Sequence, residues 1–314
     1  MAVAARVDPK AYFATEDWEP LVSRSSWKGL ALVAHAWAVI ALAAVAGTLW
    51  PVLIPLCVMV IGTRQLGLAI LMHEAAHGGL HPNRALNQLL GQWLCAIPVG
   101  ANLDAYRPYH LKHHKYAQQP EDPDLALSAP FPVTRASLRR KIIRDLTGQT
   151  FVRQRIAPLI ARLARRAPEN LPEGAVTTSR SVAAFLVLNL GAFAGLAAVG
   201  LWWVWPVFWL LPMMTWFPLV TRLRNIAEHA VTPGGDDPLR HARTTRASWL
   251  ERAFIAPYWV NYHCEHHMFM YVPCSNLPKV HAALGARGVL PRMEYEPGGY
   301  AAVLRRATMS HPQG

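Results

Sequence analysis

Nine of the fourteen histidines fall into four tight groups whose spacing suits metal ligation. His73 and His77 form HEAAH, an i, i+4 pair on one helical face. His110, His113 and His114 form HLKHH, and His263, His266 and His267 form HCEHH. In both, the i, i+3, i+4 spacing presents three imidazoles from about one helical turn. Asn225 and His229, in NIAEH, make another i, i+4 pair. One HxxHH could arise by chance in a basic helix; two boxes plus two pairs point to metal. Nine neutral imidazoles exceed what one ion takes, so two ions are expected. Imidazole suits iron, zinc, copper and nickel. Tetrahedral zinc would use four ligands per ion and leave one over. Two five- or six-coordinate irons would use all nine and keep room for water or oxygen, so a pair of redox-active ions is favoured. An imidazole-rich site also differs from the carboxylate-bridged centres of soluble four-helix bundles.

Two other chemistries compete for the same residues. HEAAH is also HExxH, the zinc metalloprotease signature, with Glu74 as general base. That reading needs a carboxylate ligand from a later span and leaves seven box histidines unexplained. A metal transporter would line a path through the bilayer, whereas these groups cluster at one end of it. Glu74, Asp104, Glu228 and Glu265 are candidate acceptors for ligand N–H groups, which orient imidazoles. Asp122 and Asp124, in EDPD, could orient the second box or cap a loop. His35 is expected to be a packed or hydrogen-bonded helix residue. His81, His241, His281 and His311 are expected at the surface; His81 follows His77 by four, but Gly78-Gly79 and Pro82 should end the helix first.

The elements that position these groups are apolar. The 314 residues are 53% hydrophobic and 16% charged, with mean hydropathy +0.15. That is too apolar for an ordinary soluble domain and too polar for a chain wholly in lipid. Leu30 to Met72 carries Arg64 as its only charge, and Val182 to Val220 carries none. A crossing needs roughly 20 apolar helical residues. The expected fold is therefore an all-α integral membrane protein with four spans in two hairpins, at 30–49, 52–72, 182–200 and 202–221. The turns fall near Trp50-Pro51 and Gly200, with tryptophans at both as an aromatic belt. Segments 1–28, 73–180 and 222–314 share one side and make one domain with the spans. They hold every Lys and Arg except Arg64, which makes that side, and both termini, cytoplasmic. No signal peptide precedes the first span. The net charge of +12 then reads as orientation and attraction to anionic lipid, not nucleic-acid binding. Four scattered cysteines without a CxxC make no disulfide framework.

Residues 89–103 are too short to span and suit an interfacial or re-entrant helix. Residues 135–166 are basic and amphipathic, with Val152, Ile156, Leu159, Ile160 and Leu163 sharing a face, and suit a helix in the headgroup plane or packed on the cytoplasmic domain. Prolines 168 and 172 mark a loop. Arg64, nine residues before His73, lies about 180° round an ideal helix from it and is expected to have a structural partner.

The boxes HEAAH, HLKHH and HCEHH, with NIAEH between the second and third, resemble the membrane fatty acid desaturase family, which includes related hydroxylases and ketolases. The resemblance runs from about residue 52 to 285 in motif order and in box position relative to the spans. The stretches RNIAEHA, TTRASWLER, VNYHCEHH and SNLPKVH are similar to a bacterial branch that includes rhizobitoxine-type desaturases. The resemblance implies a cytoplasmic helical cap holding a di-iron site, with His73, His77, His110, His113, His114, His229, His263, His266 and His267 as ligands and Asn225 reaching an iron through water. It implies O2 as co-substrate and an acyl or lipid chain as substrate, desaturated or, by the same chemistry, hydroxylated. A fused cytochrome b5 module is not visible, so a ferredoxin or free cytochrome b5-like donor is expected. The expected location is the bacterial cytoplasmic membrane.

Overall fold

The structure, a computed structural model, describes residues 7–157, 160, 179–233 and 237–308. Leu159, Leu163, Pro168, Pro172 and His311 lie outside them. The described chain is mostly helical with almost no strand, as expected. Its one sheet pairs β1 (Thr244–Thr245) with β2 (Tyr295–Glu296), in parallel.

Among the described residues three helices are long and apolar enough to cross a membrane. Helix α1 (Lys28–Leu49) is alanine-rich and uncharged after Lys28, and it stops at Trp50 because the proline that follows disfavours helical backbone there. A 3-10 turn at Pro51–Leu53 leads into α2 (Ile54–Ala76). More than half of the apolar window of α2 is buried, against 22% for α1 and 11% for α6 (Ser179–Ala198), so α2 is the centre of the bundle. Gly62 permits this close packing: a Cβ there would stand 2.8 Å from the Trp216 Cβ.

The second hairpin turns where expected. Gly200 takes φ +77°, and Leu201 N–H donates to the Leu196 carbonyl, closing α6. The expected fourth span at 202–221 is not one continuous helix. It runs through a π-helical turn at Pro206–Leu210 and a short helix at Leu211–Met214, breaks at Thr215, and resumes as α7 (Trp216–His229). Pro206, Pro212 and Pro218 each remove a backbone donor, which accounts for the interruptions. Trp209 ties this segment to the others. Its indole donates to Asn189 of α6 (2.8 Å), its carbonyl accepts from Gln65 of α2 (2.8 Å), and its ring stacks on Trp37 of α1.

The apolar stretch at 89–103 is helical but begins earlier, with α3 (Arg84–Leu89) continuing through a π-helical Leu90–Ala96. It buries Leu90, Cys95 and Ala96 while exposing Leu89, Trp93 and Leu94, as a helix at a lipid interface would. Then follow α4 (Leu103–Tyr116) and α5 (Arg135–Leu146). The single amphipathic helix expected from 135 is broken at Gly148, where φ is +75°. Asp145 explains the break. Fully buried, it receives the Arg222 guanidinium at 2.5 and 2.9 Å and the Thr150 hydroxyl at 2.5 Å, pinning the corner to α7. Removing one partner of a doubly buried pair costs about 3–5 kcal/mol. Arg222 keeps 23% of its side chain exposed, so Asp145→Ala should cost less, about 2 kcal/mol. A fall in the thermal midpoint of the purified protein checks this; no change would show that the corner is held by its apolar contacts.

The last part packs over the ends of α2, α4 and α7 with α8 (Trp249–Phe254), α9 (His263–Met268), α10 (Leu277–Ala286) and α11 (Gly299–Arg306). Arg243 is its clamp. Fully buried, it pairs with Glu294 at 3.1 Å and donates to the Ala227 and Val231 carbonyls, joining the end of α7 to the strand pair.

Candidate metal centre

Each histidine group sits where a helix is deliberately ended or capped. Helix α2 stops at His77, where Gly78 turns to φ +73°. Asn87 secures the turn by donating to the Ala75 carbonyl and accepting from the Leu80 N–H. The stop falls before His81, as Gly78-Gly79 implied. Helix α4 starts on Asn102, whose side chain accepts from the Ala105 N–H at 2.8 Å.

These elements gather the nine imidazoles into two groups. His73, His77, His110, His114 and His266 make one; His113, His229, His263 and His267 make the other. Within each, one ligand atom per residue lies within 4.8 Å of all the rest. The two HxxHH boxes are therefore divided. In α4 the i, i+4 pair His110 and His114 serves the first group and His113 the second; in α9 the pair His263 and His267 serves the second and His266 the first. Each box faces both groups, with the opposite majority.

The nitrogen positions suit cations. His114 Nε2 lies 3.0 Å from both His110 Nε2 and His266 Nε2. His263 Nε2 lies 2.9 Å from His229 Nε2 and 3.2 Å from His267 Nε2. A single proton on the central nitrogen can satisfy only one such contact. An ion bound at about 2.1 Å to ligands at right angles separates them by about 3 Å and satisfies them all. His73 Nε2, both His77 nitrogens, His110 Nδ1 and His267 Nδ1 are buried without a hydrogen-bond partner, a condition that buried polar groups rarely tolerate unfilled.

The electrostatics keep the ligand form. Burial, reinforced by neighbouring imidazoles, pushes His110, His114, His263 and His267 well below the ordinary imidazole range. It does the same to His229 and His266, and it takes His77 down to about 3. Neutral imidazole is the species that coordinates. His113 moves the other way: burial lowers it, but the hydrogen bond and charge of Asp122, with Asp124 and Glu228 behind, raise it overall.

Asp122 both orients the second box and caps its loop. It holds His113 Nδ1 at 2.8 Å while accepting from the Gln118 and Asp124 N–H groups. Asp122→Asn removes the charge and turns an amide N–H toward one of those donors. Loss of such a partner typically weakens metal binding by about 10–100-fold. The expected result is faster metal loss to a chelator from the second group; retention at the wild-type rate would reduce Asp122 to a loop cap.

The four carboxylates expected beside the ligands divide. Glu228 lies 3.5 Å from His263 Nδ1, with Arg224 at 2.6 Å on the same oxygen; burial pushes it up to about 7 although the guanidinium opposes this. The other three reach no box imidazole. Glu74, one residue round the helix from His73, accepts from the Cys274 N–H at 3.1 Å. Asp104 is exposed and accepts from Gln88. Glu265 is fully buried but turned from its box, 2.5 Å from His281 Nδ1 and bonded to the Thr244 hydroxyl. His281 is thus half-buried and partnered, not a free surface residue.

His241 is the residue that sequence reasoning missed. Expected at the surface, it is 3% exposed, with its ring 5.3 Å from that of His267 and neither nitrogen partnered. Its carbonyl accepts from His229 Nδ1 at 3.2 Å. It stands alone in a loop, so no spacing could have signalled it. Asn225 lines a cavity of about 40 Å³ beside the second group, with Tyr106, Glu228 and His263 also on its wall. That is room for a water molecule.

Residues 48–296 match the family model described as fatty acid desaturase. The chain belongs to this family. It is 29% identical over 258 residues to the dihydrorhizobitoxine desaturase of Bradyrhizobium elkanii, covering 78% of this chain and 72% of that one. It is 25% identical over 267 residues to the beta-carotene ketolase of Paracoccus sp. (strain PC1), covering 79% and 86%. A desaturase-type oxidoreductase follows from this membership, and the histidine groups are its metal-binding candidates. The protease reading loses its support here, since His73 and His77 join three further imidazoles and Glu74 points elsewhere.

Proposed function

We propose that the two imidazole groups hold one iron each and that the protein uses them with O2 to introduce a double bond into an acyl or similar amphiphilic chain. The observation that supports this most is the division of both HxxHH boxes between two converging groups, in a chain of the desaturase family. Bound there, two irons would supply O2-dependent oxidation of an unactivated C–H bond. His73, His77, His110, His114 and His266 would hold one, and His113, His229, His263 and His267 the other, with Asn225 reaching the second through water. Asp122 and the His241 carbonyl keep His113 and His229 turned inward, with Glu228 beside His263. Burial of the site keeps bulk water away from a reactive oxidant, and positioning decides the outcome, since a displacement of about 1 Å can cost ~100-fold in rate.

In this reading the interrupted run over 202–221 is the fourth crossing, both termini are cytoplasmic, and the membrane is the bacterial cytoplasmic one. A second reaction is favoured by a specific comparison. The ketolase relative suggests oxygen insertion, and hydroxylation by the same site is the alternative. Extraction of lipids and small amphiphiles from cells making the protein, followed by mass spectrometry, tests both. Loss of two hydrogens is expected. Gain of one oxygen would replace desaturation by hydroxylation, and neither change with an iron-loaded, electron-supplied enzyme would overturn the proposal.

A further inference from the structure

A groove of about 500 Å³ runs between α1, α2 and the 249–259 segment, and its charges are unbalanced. Its wall includes His35 and Val39 from α1, Val60 and Arg64 from α2, and Arg252 and Tyr258 from the last part; none of its residues is acidic. Arg64 is buried, with one N–H given to the Ala253 carbonyl at 3.0 Å and the guanidinium 5.4 Å from the Tyr258 ring. Arg252 is exposed at the lip. Neither arginine makes an ion pair among the described residues. His35 sits on an exposed face of α1, held by the Tyr258 hydroxyl at 3.1 Å.

A cation without an acidic partner within a span is expensive, and a polar groove open to hydrocarbon is more so. Arg64 stands thirteen residues beyond Pro51 in a hairpin whose first helix has 22 residues. At 1.5 Å per residue this puts it about 13 Å inside the end that carries the histidines, close to the level of His35. Arg252 is exposed on the segment that lines the same groove, next to the Ala253 whose carbonyl accepts from Arg64. The two guanidiniums thus line one groove together with Val39 and Val60. The backbone beneath is also unusual. Tyr258 and Trp259 are consecutive non-glycine residues at φ +55° and +58°. Such strain persists only where the surroundings over-determine it, and it gathers at binding sites.

We infer that this groove binds one anionic phospholipid from the leaflet on the histidine side, with its phosphate between Arg252 and Arg64 and an acyl chain along Val39 and Val60. Basic pockets between transmembrane helices are known to suit such head groups, and the volume is that of a ligand pocket. The occupant is a bilayer lipid rather than the substrate because Arg64 precedes His73 by nine residues, half a turn round α2, so the groove backs onto the face away from the metal groups. The lipid's place in the fold is structural: it braces the 257–260 run that leads directly into α9 and His263. This inference rests on the chain's being in a membrane and not on the identity of the metals.

Native mass spectrometry of the full chain released from bilayers of mixed phosphatidylglycerol and phosphatidylcholine tests it. One phosphatidylglycerol should be retained per chain, at least ~10-fold over phosphatidylcholine. Arg252→Gln and Val60→Trp, which remove a charge and fill the groove, should each abolish that preference. These variants carry the test because Arg64→Gln also removes a packing contact and could fail to fold. Equal retention of both lipids, or an undiminished preference in both variants, would overturn the inference. So would full displacement of the phospholipid by oleate at matched concentration, which would make the occupant a single-chain carboxylate.

Discussion

His263→Ala is expected to lower iron from about two to about one per chain, and activity by more than ~100-fold, a larger effect than loss of a partner behind a ligand. His263 is the central nitrogen of the second group, within 3.2 Å of two others. His114→Ala should do the same to the first group, where His114 is central. His267→Ala, at the edge of the second group, should also lose metal and activity. His81→Ala, whose ring only accepts from the Asn83 N–H, should change neither. Metal analysis of protein from iron-supplied cells decides the matter. Stoichiometric zinc without iron would remove the iron assignment, whereas two irons in His263→Ala would disprove the grouping.

Turnover should depend entirely on a separate one-electron donor. The chemistry consumes two electrons per cycle, and the sequence carries no recognisable flavin, haem or iron–sulfur motif. Its four cysteines are buried and free, with Cys57 inside α2 and Cys264 inside α9. None of them joins a metal-sized group among the described residues, as an iron–sulfur cluster would require. The donor would be a ferredoxin or a cytochrome b5-like protein docking on the side that carries the histidines. Exposed Arg135, Arg139 and Arg140 on α5 offer an acidic partner a surface there, and salt should weaken that attraction. With O2 and substrate, purified enzyme is expected to show no sustained turnover until a reduced donor is added. Many turnovers from NADPH alone would reveal a redox module within the chain.

Much of this was legible in local pattern. Hydropathy places the first two spans within a few residues of α1 and α2, because a run of uncharged side chains has one stable answer in lipid. The helix stop after His77 follows from Gly78, and both turns follow from Pro51 and Gly200, since those residues restrict or free the backbone wherever they stand. The nine metal-ligand candidates are equally local, because i, i+3 and i+4 neighbours share a helical face. What that rule leaves open is which face meets which partner. Only the tertiary structure divided each HxxHH box between two groups, turned Glu265 toward His281 and Glu74 toward Cys274, and brought His241 beside His267. Asp122 earned its role only by folding back nine residues onto His113, through a turn in which Gln118 takes φ +61°. The broken segment before α7 was likewise hidden in composition, as average hydropathy does not register where prolines withdraw hydrogen-bond donors. Periodicity reports how a segment treats its own backbone and solvent; the partner of a buried charge or imidazole is set by contacts between segments far apart in the chain, which no local spacing encodes.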